Sequence, residues 1–270
     1  MPIEVRRIQL PDVASPRYWY RNDPGVTSFA YALSAVFPDG ERFFIDAVRA
    51  FRDRIDDPGL RQRVREFIGQ EAQHGQVHER YNARAASDGF AVDEIIALCK
   101  TELAELRKRV PPEDQLAITC ALEHFTAMMA EQLLGNPRFT ADIPSPHVEM
   151  WRWHAAEEAE HKAVAFDVYQ AVDGSYARRI FHYLITSATF TYGTGWSTLH
   201  LLQKDGQSRN LDAYLSILRF LFVEPGLLRA IAPQWLDYLR PDFHPNDRDD
   251  SALVERWKRD FAPEFETLRV

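Results

Sequence analysis

One carboxylate–histidine pattern occurs twice in this chain and limits what it can fold into. A lone Glu41 is followed by Glu71-x-x-His74, and a lone Glu123 is followed by Glu158-x-x-His161. Three residues are just under one helical turn, so each Glu–His pair shares a face if its segment is a helix. Four helices that turn these six side chains inward have what a bundle needs to hold two metal ions. The pattern therefore predicts an all-α chain with a dinuclear metal site inside a four-helix core.

The punctuation of the sequence agrees with a helical reading. Pro38-Asp39-Gly40 precedes an apolar stripe at Phe44, Ile45, Val48 and Phe51, which predicts a first ligand helix over 39–54. Asp57-Pro58 is a cap followed by a first-turn proline and predicts a helix over 58–87. A helix over 91–109 ends at Pro111-Pro112, and the next, over 112–134, stops at Gly135-Asn136-Pro137. Ser145-Pro146 repeats the cap-plus-proline signature and predicts the fourth ligand helix over 146–172. Segments 176–203, 211–223, 226–240 and 250–260 read as further helices, and no stretch alternates like a strand. The length suits a single domain over 1–270, with the metal-binding bundle over 39–172 and packing helices over 175–260.

Composition removes several function classes. The net charge of -8 argues against nucleic-acid binding, which needs clustered Lys and Arg against phosphate. The cysteines are Cys99 and Cys120, too few for a disulfide framework or a thiolate metal site. The opening MPIEVRRIQL lacks the apolar run of a signal peptide, so a cytoplasmic protein is expected. The segment from Ile180 to Leu202 is rich in aromatics but also holds His182, Gly193, Gly195 and several Thr. It reads as a core helix, with a membrane-facing or substrate-lining helix as the other reading, and membrane association is not expected.

The six residues suit metal chemistry because of where they sit. Glu71 continues the apolar ridge of Leu60, Val64, Phe67 and Ile68, and Glu123 directly follows the largely apolar run from Leu116 to Leu122. A carboxylate in such a place costs several kcal/mol unless it is paired or bound to a cation. A structural Glu–His–Arg network is the alternative. Carboxylates with imidazoles suit two Fe ions, with Mn or Zn also accommodated. His154 lies one turn before Glu158 on the same face and is a candidate third nitrogen ligand, or a hydrogen-bond partner of a ligand carboxylate. The candidate metal set is Glu41, Glu71, His74, Glu123, His154, Glu158 and His161. Among these, Glu71, Glu123 and His154 are the candidates for a direct part in catalysis. His78 follows His74 by one turn and is a further candidate, while His124 reads as structural. His147 reads as lying near solvent by the cap, Glu157 and Glu160 as partners of Arg or Lys on neighbouring helices, and Glu157 also as a fallback ligand.

The stretches FPDGERFF, QEAQHGQVHERYN, ALEHFTA and WRWHAAEEAEHKAVAFDVY, with the later FHPND, together resemble a bacterial family of predicted metal-dependent hydrolases over roughly residues 15–260. The ligand order is also similar to that of the ferritin-like di-iron carboxylate proteins. That likeness implies a ferritin-like four-helix bundle with additional C-terminal helices, and carries their ligands onto Glu41, Glu71, His74, Glu123, Glu158 and His161. His154 is similar to the extra histidine ligand of di-iron arylamine N-oxygenases such as p-aminobenzoate N-oxygenase.

Two functions follow as expectations. The first is a di-iron oxidoreductase that activates dioxygen for oxygenation, including N-oxygenation, of a small organic substrate, supplied by an electron-donor protein. The second is a metal-dependent hydrolase with a metal-activated bridging water. Phe125, Trp151, Tyr81 and the 180–202 helix are expected to wall the site, implying a small-molecule substrate with an apolar or aromatic part. The extra helices disfavour iron storage and suit an enclosed pocket or a homodimer surface.

Overall fold

The computed structural model describes residues 1–10, 13–261 and 265–268. Strand β1 (Arg6–Ile8) is followed by helices α1 (Pro24–Arg49), α2 (Pro58–Ser87), α3 (Val92–Arg109), α4 (Pro112–Gly135), α5 (His147–His161), α6 (Val164–Val172), α7 (Tyr176–Lys204), α8 (Leu211–Phe222), α9 (Leu227–Asp237) and α10 (Ser251–Phe261). Strand β2 (Phe265–Thr267) closes the order and pairs antiparallel with β1, Arg6 opposite Thr267. The class is all-α, as expected. The β1–β2 pair was not expected, because three-residue strands are too short for an alternating pattern to register.

The first helix departs most from expectation. It starts at Pro24, capped by Asp23, whose carboxylate accepts from the Val26 amide at 2.8 Å. Pro38 is therefore an interior residue of a 26-residue helix rather than a marker of its start. A proline there has no N–H to give, so the carbonyl four residues back, that of Ser34, loses its helical donor. The Asn82 amide replaces it, donating to Ser34 O at 2.9 Å. The cost of an interior proline is offset from the neighbouring helix.

The second ligand helix begins as read. The Asp57 carboxylate accepts from the Gly59 and Leu60 amides at 2.9 and 3.2 Å, with Pro58 in the first turn. The fourth does not run unbroken over 146–172. It starts at His147 without a Ser145 cap and breaks at Lys162–Ala163 into α5 and α6. No Gly or Pro marks that break. Lys162 instead donates to Asp250 and to the Arg248 carbonyl at 2.5 and 2.7 Å, tying the junction to the chain just before α10. Helix α9 stops at Asp237, short of the expected 240.

Helix α1 packs on α2, α2 on α5, α5 on α4 and α4 on α1, which closes a ring of the four ligand helices. Its apolar interior divides into two clusters. One takes Val26 to Phe37 of α1, Val77 to Ala85 of α2 and Met150 to Ala159 of α5. The other takes Phe43 to Val48 of α1, Leu60 to Phe67 of α2, Leu116 to Met128 of α4 and Val164 to Tyr169 of α6. Glu41, Glu71 and His74 fall between the two along their helices, so the polar cage sits at the junction of two apolar layers. The interior is not polar at the ligand positions alone, since Ser34, Gln70, His78, Asn82 and Glu157 are also fully buried. Helix α3 packs against α1 and α2, and α7, α8 and α9 cover α1 and α4. Among the described residues no helix is long and apolar enough to cross a membrane.

Candidate metal centre

All seven side chains singled out from the sequence meet in one cage. Glu41, His74 and His154 each offer a ligand atom within 4.8 Å of the other two, as do Glu71, Glu123 and His161, and Glu71, His74 and Glu158. Their exposure is 4 % or less. His161 Nε2 lies 3.0 Å from Glu71, 3.4 Å from Glu123 and 3.4 Å from Glu158. His74 Nδ1 lies 3.6 Å from Glu158 and 3.8 Å from Glu71.

The cage residues leave polar atoms unpaired. Both carboxylate oxygens of Glu41, Glu71 and Glu123, with His74 Nδ1 and His161 Nε2, are buried and make no hydrogen bond. Native interiors leave only a few such atoms unpaired in roughly 100 residues, and those are scattered rather than gathered at one place. Eight facing one another are what a bound cation would satisfy, and oxygen plus imidazole nitrogen is a donor set that first-row divalent metals accept. The residues fit a metal.

The opposite edge of each histidine ring is held. His74 Nε2 donates to Glu157 at 3.1 Å, and Glu157 in turn accepts from the Arg6 backbone amide at 3.1 Å and faces the Arg6 guanidinium at 3.4 Å. His161 Nδ1 donates to Gln70 Oε1 at 2.8 Å, and Gln70 Nε2 donates to Glu160 at 2.9 Å. Glu160 accepts from both terminal nitrogens of Arg6, at 2.6 and 2.9 Å, and pairs with Lys258 at 3.2 Å. Both rings are thus oriented, through two carboxylates, by one fully buried arginine on β1. Glu157 and Glu160 do pair with cations, as expected, but the principal cation comes from a strand.

His154 is held differently. Its Nε2 lies 2.9 Å from Glu158 and its Nδ1 lies 2.7 Å from His78 Nε2. His78 Nδ1 lies 2.8 Å from Ser34 Oγ, which donates to Asn82 Oδ1 at 2.6 Å. His78 therefore lies one ring back from the cage. His124 bonds the Gln234 carbonyl at 3.0 Å, away from it. His147 is a correction: it is buried, stacked on Trp19 with ring centres 4.2 Å apart, and bonds Tyr81 at 2.7 Å.

Burial sets the electrostatics. It raises the Glu41 and Glu71 carboxyls well above their ordinary range, with neighbouring carboxylates adding to it, and raises Glu123 to about 7. Burial also pushes Glu158 up, but His161 and His154 outweigh it and hold Glu158 well below the usual range. His161 is the converse case: burial pushes it down, yet Glu158 and Glu123 leave it well above an ordinary histidine. Burial, with His154 alongside, drives His74 and His78 down, so both are neutral and can use a ring lone pair.

One side of the cage opens on a pocket of about 70 Å³ that His154, Glu158 and Thr126 line with Leu33, Phe37 and Trp151. Thr126 donates to Glu158 at 2.5 Å, so its hydroxyl is occupied. Trp151 stands in this wall as expected. Tyr81 does not and instead serves His147, while Phe125 lines a cavity farther out. Sequence reasoning missed Arg6, Ser34, Gln70, Asn82 and Thr126. Gln70 and Asn82 lie within the QEAQHGQVHERYN stretch, whereas nothing near Arg6 marks it.

A family model described as predicted metal-dependent hydrolase matches residues 4–249. That description names the second of the two expected chemistries rather than the first. No curated protein and no solved structure matches the chain.

Proposed function

The chain belongs to this family of predicted metal-dependent hydrolases, and on that premise we propose that its cage holds two metal ions and that it is an enzyme acting on a small apolar molecule. The observation that carries the reading is the set of eight buried, unpaired donor atoms converging from four helices. Glu41, Glu71, His74, Glu123, Glu158 and His161 would hold the ions, with His154 as the additional nitrogen donor. When bound, such ions act as Lewis acids that generate hydroxide from water, or, if they are redox-active, activate dioxygen.

The chain's own residues do the rest. Arg6, acting through Glu157 and Glu160, keeps the two imidazoles in one orientation. The pocket walls exclude bulk water, and His154 and Glu158 present the polar atoms to whatever enters. Hydrolysis is favoured by the family description. Oxidation is the second reading, and a specific observation favours it. Four buried carboxylates already balance two divalent ions, which weakens acidification of a bound water and eases access to a higher oxidation state.

Metal analysis of aerobically purified protein tests the common reading. Wild type should carry two ions per chain. Glu71→Ala or Glu158→Ala should lose most of both, and His154→Ala should keep them with altered reactivity. Wild-type occupancy in both Glu variants would refute the ligand assignment. Ester or phosphoester cleavage without dioxygen or reductant, lost in Glu71→Ala, would establish the hydrolase. Rapid dioxygen uptake by the Fe(II)-loaded protein, with no such cleavage, would establish the oxidase class.

A further inference from the structure

The inner pocket does not end at the cage. Phe29, Leu33, Met129 and Leu227 line it and also line a second cavity of about 620 Å³, bounded by α7 on one side and by α8 and α9 on the other. That volume lies in the range of small-molecule sites, whereas the inner pocket alone holds only a small functional group. Most of its wall is hydrocarbon, and two of its four hydroxyls are engaged within α7: Ser187 donates to the Tyr183 carbonyl at 2.8 Å and Thr198 to the Thr194 carbonyl at 2.7 Å.

The surface beside the cavity is apolar too, and Phe222 belongs to both. Leu211, Leu215, Leu218 and Phe222 fall on one face of α8 and are 73, 61, 52 and 56 % exposed. A helix on the outside of a soluble protein ordinarily turns such a stripe inward. Leu199 and Leu228 continue the exposed apolar rim across the cavity mouth. A second copy of the chain could cover this rim, but it would not fill a cavity that adjoins the cage pocket.

Resting on the enzyme reading above, we propose that the substrate is a molecule with a long alkyl or aryl-alkyl tail, the tail lying between α7 and α8–α9 and the reacting end beside His154 and Glu158. The inner pocket selects a small reacting group, and the outer cavity selects chain length. The exposed rim lets the tail leave a bilayer or water without crossing a polar surface.

Gly195 gives a clean test, because it lines the cavity and a Cβ added there meets no atom within 4 Å. Phenylalanine at this interior helix position should not impair folding, since glycine is the poorer helix former. Gly193 on the same helix is equally open but does not line the cavity, so Gly193→Phe is the matched control. The probe is a dansyl-labelled undecanoic acid, titrated into metal-free and metal-loaded protein and followed by its blue shift.

Wild type and Gly193→Phe should bind it saturably in both forms, and Gly195→Phe at least about tenfold more weakly. Delivery from water or from phosphatidylcholine vesicles identifies the source of the tail, and saturable binding by either route supports the cavity. Absence of saturable binding by both routes, equal binding by Gly195→Phe, or a stable wild-type dimer that shuts the probe out would overturn it. Metal content separates the two readings. Probe binding in a chain that takes up no metal would leave the cavity and remove the enzyme, while metal uptake without probe binding would do the reverse.

Discussion

The Asn82 side-chain amide donates to the Ser34 carbonyl oxygen, and this one bond sets the direction of three others. A backbone carbonyl only accepts, so the Asn82 nitrogen must face it and its oxygen must face the Ser34 hydroxyl, which therefore donates. Ser34 Oγ then accepts from His78 Nδ1, and His78, kept neutral by burial, accepts at Nε2 from His154 Nδ1. His154 Nδ1 is thereby fixed as a donor, and its Nε2 edge faces the cage beside Glu158 at 2.9 Å, the edge that would meet a bound cation. The unmet carbonyl at the origin of the chain exists because Pro38 interrupts α1.

Asn82→Leu should release this tautomer lock. It leaves the buried Ser34 carbonyl without a partner, at a cost of about 1–3 kcal/mol, and leaves the Ser34 hydroxyl with His78 alone, free to donate to it instead of accepting. Metal affinity should fall about 10–100-fold, as for other groups that orient a ligand histidine. The specific readout is the ¹⁵N spectrum of His154: Nδ1 fully protonated in wild type, and only in part in the variant. An unchanged tautomer in the variant would show that the lock lies elsewhere.

Arg6 supports the other two imidazoles, and its loss should be more severe. Arg6→Ala leaves the buried Glu157 without its guanidinium partner and Glu160 with Lys258 in its place, and breaking a buried pair of this kind costs about 3–5 kcal/mol. Urea denaturation should register that loss. Glu160→Gln in the Arg6→Ala background should recover part of it by removing one uncompensated charge. A purely packing role for Arg6 would give no such recovery.

Much of this was legible because it repeats or because it is punctuated. The duplicated Glu and Glu-x-x-His pattern located the cage, and Asp57-Pro58 located the start of α2. Pro38 misled because the rule that proline begins or ends a helix is local. Whether an interior proline is tolerated depends on a donor 44 positions on, Asn82, which no window around it contains. Lys162 at the α5–α6 break likewise finds its partner in Asp250, 88 positions on, and Arg6 reaches Glu160 across 154 positions. Side chains on one helix face announce themselves by period, but a cation brought from a distant strand has no period to read.

Metal-free protein should lose stability as the pH rises above about 7, and metal should abolish that loss. His74 and His78 are held below their ordinary range, so in folded and unfolded chains alike they are neutral above pH 7, and their contribution no longer varies there. The raised groups behave oppositely. Glu123, at about 7, with Glu41, Glu71 and His161, keeps protons in the folded cage that the unfolded chain has already released. The folded state then binds more protons than the unfolded one, which makes stability fall with rising pH until those groups ionise. Bound cations displace the same protons, so metal uptake should release them and weaken toward acid. Thermal melts from pH 7 to 8.5 should therefore slope downward for the apoprotein and stay level for the loaded protein. The slope should flatten in Glu41→Gln, which removes one of the groups that holds a proton. A rising apoprotein slope over that range would mean that the cage is ionised without metal, and that something other than a cation satisfies its carboxylates.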